Sequence, residues 1–385
     1  MENNSSENEN GLVDDFFGVV WRDDIVSFIK QINSSPGHHL AMSASGNRLE
    51  DIAAYAAKLG YKFPLDVLDS FCERRIAHKL PEWQRRLRQE FSARQKSDEI
   101  PAPKLKDESF TAKVSKITYQ PGFVLDRKHV LDGHILTLHG VPAVAKLVAC
   151  IGATLEQALK PHTPSTAYQI MEAVAYDTAI KGAYKALKDN AEIPLLMGEM
   201  IVELGYDPKD TLYEWPGFRV ITPKGGGHYR DGGTQALGPH RDTWYGSPHH
   251  QINLWGPVYP LPPGTQLKIM PEYFRRSVDN SSPGYDTCKQ AVGLSGIPVC
   301  RGKVDMTDCV APPLDVGDLL CYSGHHMHAS GVNIDDVARI SFEVRLLHES
   351  DRKNRVRAEN VDFFGVTEIY DGWYDHHGQE VETGA

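Results

Sequence analysis

The sequence predicts an α+β chain: a β-barrel or sandwich backed by helices and preceded by a small all-α domain. Three observations predict it. Apolar residues recur at helical spacing within residues 12–91. Beyond Trp215, short β-like runs alternate with Gly/Pro turns, the texture of an all-β sandwich or barrel. Between these halves, residues 92–108 turn Pro- and charge-rich, as a linker does. A chain of 385 residues is long enough for one large domain plus a small one.

Residues 1–11 are polar and acidic, and a disordered tail is expected there. They offer neither the basic n-region nor the apolar h-region of a signal peptide. Ile25, Phe28, Ile29 and Ile32 recur at i, i+3, i+4 and i+7, one face of a first helix. A second helix is expected over residues 47–59, with Gly60 as its left-handed stop. Pro64 suits the first turn of a third, carrying Leu65, Leu68 and Phe71. Residues 110–201 mix short strands with helices, the clearest helix being 166–188. Strands are expected at 218–222, 249–259, 266–270, 318–322, 327–333 and 338–347. Helices first and strands after give a barrel backed by helices, within a main domain of residues 109–385.

Composition narrows the function classes. Charged residues make up 24% and hydrophobic ones 41%, ordinary for a globular protein. Net charge is −10, from 41 Lys+Arg against 51 Asp+Glu, with no basic stripe, so no nucleic-acid partner is expected. No apolar run approaches the roughly 18 residues of a membrane span, so no membrane association is expected either. The six cysteines are scattered without a CxxC pair and read as reduced thiols of a cytoplasmic protein. Oligomeric state leaves no mark on the sequence.

The chemistry concentrates in two segments. In "LGPHRDTWYG", His240 and Asp242 stand two apart, so on a strand they project to one face. Alone this is weak, since 17 histidines give about one His-x-Asp by chance. In "CYSGHHMHASGVNIDDVARISFEVRLL", His328 adds a third candidate, 88 residues beyond His240. Two imidazoles and one carboxylate form a facial triad that holds Fe(II) and leaves sites open for a bidentate 2-oxo acid and O₂. His326 shares the face of His328 and competes for the role. His325 points the other way, as a structural residue would. His249 and His250 suit supporting or surface positions.

Arg339 follows His328 by eleven residues, with "GVNIDD" as the turn between two strands. Antiparallel pairing returns it beside the metal strand, where a planar guanidinium can grip a carboxylate bidentately. Strand alternation agrees. Arg339, Ser341 and Glu343 share one face, with Ile340, Phe342 and Val344 on the other. Gln251, Asn253 and Trp255 likewise oppose Ile252 and Leu254. Polar faces then line a lumen and apolar faces pack under helices. The Gly-rich residues 223–238 read as a lid. Arg230, Arg241, Arg275 and Arg276 near the mouth suggest an anionic group on the substrate.

With "PHRDTW", "QINLWGPV", "GTQLKIMP" and "HASGVN" followed by Arg339, residues 215–347 resemble the phytanoyl-CoA dioxygenase-like branch of the Fe(II)/2-oxoglutarate oxygenases. The resemblance implies a double-stranded β-helix (jelly-roll, cupin-like) barrel with His240, Asp242 and His328 as iron ligands. It implies that Arg339 and Ser330 bind the distal carboxylate of 2-oxoglutarate and that Trp255 lines the pocket. Asn253, on the same polar face, is counted with the co-substrate residues. The reaction implied consumes O₂ and 2-oxoglutarate, releases succinate and CO₂, and oxidises an unactivated C–H bond of a small-molecule or peptide-derived substrate. Asp242 favours hydroxylation, desaturation or cyclisation, because halogenases of this superfamily carry Gly or Ala there. The chain departs from the family after "KIMP", where "EYFRRS" stands in place of the usual Gly-Ser-His. Residues 25–71, ending "KLGYKFPLDVLDSF", resemble the nitrogen-fixation-associated helical domain that serves as a leader in some peptide precursors. Two other readings stay open: a cupin-like metalloenzyme without 2-oxoglutarate, and a peptide-binding protein with an idle barrel.

Overall fold

The computed structural model describes residues 19–34, 36–79, 110–223, 238–291, 296–354, 356, 362–365 and 372–381. The expected tail, the linker and nearly all of the Gly-rich loop, Arg230 included, lie outside the described residues.

Among the described residues four helices come first: α1 (Val19–Ser34), α2 (Pro36–Ser45), α3 (Leu49–Lys58) and α4 (Leu65–Lys79). Ile25, Phe28, Ile29 and Ile32 are buried together with Ile52, Leu68 and Phe71, so the i, i+3, i+4 pattern is the packed face. Gly60 takes φ +93°, the left-handed stop expected after α3. Helix α2 was not anticipated. Its "PGHHLAMSAS" carries two Ser and two His, and Met42 is buried.

Among the described residues there follow α5 (Arg127–Leu131), α6 (Pro142–Leu159), α7 (Ala173–Lys188), α8 (Ile193–Glu203), α9 (Thr287–Ala291) and α10 (Glu349–Asn354), with ten strands. The expected helix 166–188 is broken. A 3-10 turn covers Ala167–Gln169, and α7 starts afresh where the Glu172 side chain accepts from Ala175 N at 3.1 Å. Apolar periodicity does not reveal a cap that interrupts it.

The strands form two sheets. The larger has β1 (Val114–Thr118), β2 (Ile135–His139), β7 (Leu319–Ser323), β5 (Ile252–Pro257), β9 (Arg339–His348), β3 (Thr211–Glu214) and β10 (Trp373–Tyr374) in that order. Strand β4 (Gly217–Ile221) also pairs with β9. The smaller pairs β6 (Leu267–Met270) with β8 (Met327–Ser330). Strand β9 is long enough to pair with β5 along one side and with β4 and then β3 along the other. Its alternation is as expected: Ile340, Phe342, Val344 and Leu346 join Ile252 and Leu254 in a core with Leu147, Ile151 and Met197 from the helices behind. Pro142–Leu159 is apolar and long enough to cross a membrane by composition. Here it is a core helix, burying Val144, Leu147, Val148, Ile151 and Leu155.

The opposite face of the large sheet meets the small one. Trp255, Leu320 and Tyr322 pack on Leu267 and Ile269, so part of the expected polar lumen is apolar. Among the described residues the two sheets share no ladder, so no closed barrel is formed; isolated bridges attach His240 to β8 and Val310 to β6.

Candidate metal centre

The three sequence candidates converge. Ligand atoms of His240, Asp242 and His328 all lie within 4.8 Å of one another, and all three residues are buried. His240 and His328 face each other across a two-residue antiparallel bridge, His240 N donating to His328 O at 3.0 Å and the reverse at 2.9 Å. Asp242 arrives differently from expectation. It opens a 3-10 turn, Asp242–Tyr245, anchored by Asp242 N donating to Gly324 O at 3.0 Å. Its Oδ1 comes within 3.8 Å of His240 Nε2 and 3.6 Å of His328 Nε2.

The tautomers suit a cation. His240 Nδ1 lies 2.8 Å from Gly238 O, and His328 Nδ1 lies 3.0 Å from His326 O. A carbonyl only accepts, so each Nδ1 carries the proton and each Nε2 keeps its lone pair toward Asp242. Burial, with the His328 imidazole beside it, pushes His240 down to about 3, so the ring is neutral at ordinary pH. Burial raises the Asp242 carboxyl, but Arg345 and the two histidines outweigh it and hold it well below the usual range. Two imidazole Nε2 atoms and an ionised carboxylate are the donor set that fits a divalent transition ion.

Both ring nitrogens of His326 have backbone partners. Its Nε2 donates to Gly133 O at 3.0 Å, and its Nδ1 accepts from Ser323 N at 3.2 Å. No lone pair is left for a metal. His325 Nε2 lies 3.1 Å from Arg241 Nη1, a structural contact as expected. Arg241 itself departs from the expected mouth position. Fully buried, it donates to the carbonyls of Tyr273 and Arg276 at 2.7 Å each and pairs with Asp362, leaving no group for a substrate anion.

Arg339 is 1% exposed. Nη1 donates weakly to Thr265 O at 3.3 Å, the guanidinium carbon lies 5.7 Å from the Trp255 ring centroid, and Nε has no hydrogen-bond partner. Among the described residues no carboxylate is within ion-pair distance. Burial and the nearby Arg219 push it down to about 9, the mark of a buried cation short of an anion. Two positions along the same face, Ser341 is fully buried and its Oγ also lacks a partner. Ser330 is on β8, across from Leu267, and half-buried. Asn253 donates to Asp242 Oδ2 at 2.7 Å, which places it against the metal carboxylate. Gln251, Arg345 and Glu214 complete the surroundings of Asp242; Gln251 opens "QINLWGPV", whereas no short motif marks Glu214 or Arg345. Glu214 and Arg345 are 131 residues apart, beyond the reach of any local pattern.

No protein-family model and no curated protein matches the sequence. Among solved structures the chain is similar to the non-heme monooxygenase ThoJ in its apo form (13% identity, 54% of this chain, 70% of that one, TM-score 0.32). It is also similar to EvdO2 from Micromonospora carbonacea var. aurantiaca complexed with 2-oxoglutarate (14%, 58% and 89%, TM-score 0.34). A third is the non-heme alpha ketoglutarate dependent carbocyclase SnoK from nogalamycin biosynthesis (14%, 57% and 84%, TM-score 0.30). These are distant likenesses, and the function proposed below rests on the geometry of the site.

Proposed function

We propose that the chain is a non-haem Fe(II), 2-oxoglutarate-dependent oxygenase of hydroxylase type, acting on a C–H bond of a small-molecule or peptide-derived substrate. The observation that carries this is Arg339: a buried guanidinium with an unpartnered Nε, on the sheet that also supplies the surroundings of a His-Asp-His site. A metal site alone needs no such cation. A co-substrate with a carboxylate at its far end does.

The bound ion would supply O₂ activation coupled to decarboxylation of the 2-oxo acid. The protein's own residues do the rest. His240, Asp242 and His328 would hold the ion through Nε2, Oδ1 and Nε2. Arg339 would fork to the distal carboxylate, with Ser341 Oγ as a second donor and Trp255 as the wall beneath the guanidinium. Ser330, on the facing strand, is the other hydroxyl within the proposed set. Tyr322, Leu320 and Ile269 exclude water from one side, where a reactive centre needs it excluded. Asp242 supports hydroxylation, or desaturation or cyclisation, over halogenation. The motif matches support the phytanoyl-CoA dioxygenase-like branch, and the α1–α4 bundle supports the leader-like reading of the front. All six cysteines are free, as a reducing cytoplasm would keep them.

The test is succinate formation from 2-oxoglutarate by the Fe(II)-loaded protein across a panel of amino acids, peptides and acyl compounds. Turnover of 2-oxoglutarate above the iron-only background is expected. A protein that binds metal but never consumes 2-oxoglutarate would instead be a metalloenzyme without that co-substrate.

A further inference from the structure

The metal carboxylate is held by one oxygen. Asp242 Oδ2 accepts from Asn253 Nδ2 at 2.7 Å, Arg345 Nε at 3.0 Å and Gln251 Nε2 at 3.3 Å. Gln251 Nε2 also donates to Asn253 Oδ1 at 2.8 Å, so the two amides brace each other. Oδ1 is left facing the two imidazoles. A carboxylate oxygen has room for about two strong donors, so Oδ2 is saturated and unavailable to a metal.

Arg345 is the centre of this arrangement. Its three guanidinium nitrogens face three different carboxylates: Nε to Asp242, Nη1 to Glu214 on β3, and Nη2 to Glu343 at 3.7 Å. Register sets this up. Arg345 lies directly across from Asn253 on β5, so guanidinium and amide reach the same oxygen from adjacent strands. Without the guanidinium, buried Asp242 would face part-exposed Glu214 and Glu343 with no cation between them, Glu343 keeping only Arg219 at 3.7 Å.

We propose that Arg345 is a positioning residue that restricts Asp242 to single-oxygen coordination through Oδ1 and so keeps an open site on the ion; this rests on the iron reading above. Freed from Arg345, the carboxylate can rotate and offer both oxygens, or turn away from Glu214 and Glu343. Either outcome changes how the ion is held. Gln251 and Asn253 alone supply no charge to balance Asp242.

The test uses Mn(II) as a redox-silent probe, with free Mn(II) followed by electron paramagnetic resonance and the apoprotein fold by thermal melting. Arg345→Met is expected to weaken Mn(II) by about 10- to 100-fold, the usual range for a group that orients a metal ligand. It should also alter the spectrum of the bound ion as the coordination mode changes. Arg345→Lys keeps the charge but offers one nitrogen in place of three, so a loss between wild type and Arg345→Met is expected. Should Arg345→Met fail to fold, Arg345→Lys decides. A folded variant of either kind with wild-type Mn(II) affinity and an unchanged bound spectrum overturns the proposal, leaving Arg345 as a tie between strands. Wild-type protein that takes up no Mn(II) overturns the iron reading itself, and this proposal with it.

Discussion

Arg241 and Asp362 form an ion pair 3.4 Å apart in which neither side chain reaches solvent. Asp362 also accepts from Trp244 Nε1 at 2.6 Å and from Val278 N at 3.0 Å. The pair therefore pins a C-terminal segment to the chain between His240 and Asp242. Removing one partner of such a pair leaves an uncompensated buried charge, which costs about 3–5 kcal/mol. Asp362→Ala should lower the unfolding free energy by that amount in urea titration. A loss below about 1 kcal/mol would mean that Arg241 finds water when Asp362 is gone.

The histidines separate by what surrounds their nitrogens. His240→Ala and His328→Ala should each abolish stoichiometric Mn(II) or Fe(II) binding. His326→Ala should keep it and lose about 1–3 kcal/mol of stability, because its bonds to Gly133 O and Ser323 N are structural. Metal content after gel filtration reads the first effect and urea unfolding the second. Metal retained in His328→Ala and lost in His326→Ala would reverse the assignment.

How much of this was legible in the sequence follows from the reach of each pattern. The faces of β9 were readable because Arg339 through Val344 alternate strictly, and the first helix because four apolar residues keep one period. The structure brings His240 and Asp242 together for a reason other than the expected one: the shared side comes from a bridge to His328 and a 3-10 turn, not from one strand. The arrangement around Asp242 was beyond reading, since Glu214, Gln251, Asn253 and Arg345 meet only through β3, β5 and β9 pairing. Arg241 was misplaced at the mouth because a lone arginine beside a ligand looks the same whether it faces solvent or Asp362.

The two serines offered for the distal carboxylate can be told apart. Ser341 Oγ is fully buried and unpartnered on the face of Arg339, and Ser330 is half-buried on the facing sheet. A hydrogen bond to a charged group contributes about 1.5–3 kcal/mol. Ser341→Ala should therefore raise the 2-oxoglutarate Kd by about 10- to 100-fold, with Ser330→Ala giving the smaller change. The opposite ranking in isothermal titration would move the carboxylate toward β8.

The front helices dock through Asn47. Fully buried, it donates to Ser281 O at 2.6 Å and accepts from Gly296 N at 2.9 Å, while Cys288 joins the helical apolar cluster. Asn47→Ala leaves both backbone groups unsatisfied and should cost about 1–3 kcal/mol. A chain beginning at Lys106 should be less stable than the full chain for the same reason, yet still bind Mn(II), because His240, Asp242 and His328 all lie outside the front helices. Loss of Mn(II) binding by that chain, with its fold intact by circular dichroism, would make the helices part of the metal centre.

The central claim is that Arg339 waits for the far carboxylate of 2-oxoglutarate. The direct measurement is anaerobic titration of the Fe(II) protein with 2-oxoglutarate, following the metal-to-ligand charge-transfer absorption in the visible. Wild type should develop that band. Arg339→Ala should raise the Kd by roughly ten- to several-hundred-fold, since a charge-assisted fork of about 1.5–3 kcal/mol is lost and a buried carboxylate is left unpaired. Arg339→Lys should recover part of the loss, because an ammonium cannot reproduce the planar fork, and Mn(II) affinity should be the same in all three. No band in wild type, or the same Kd in wild type and Arg339→Ala, would contradict the assignment of 2-oxoglutarate to this site.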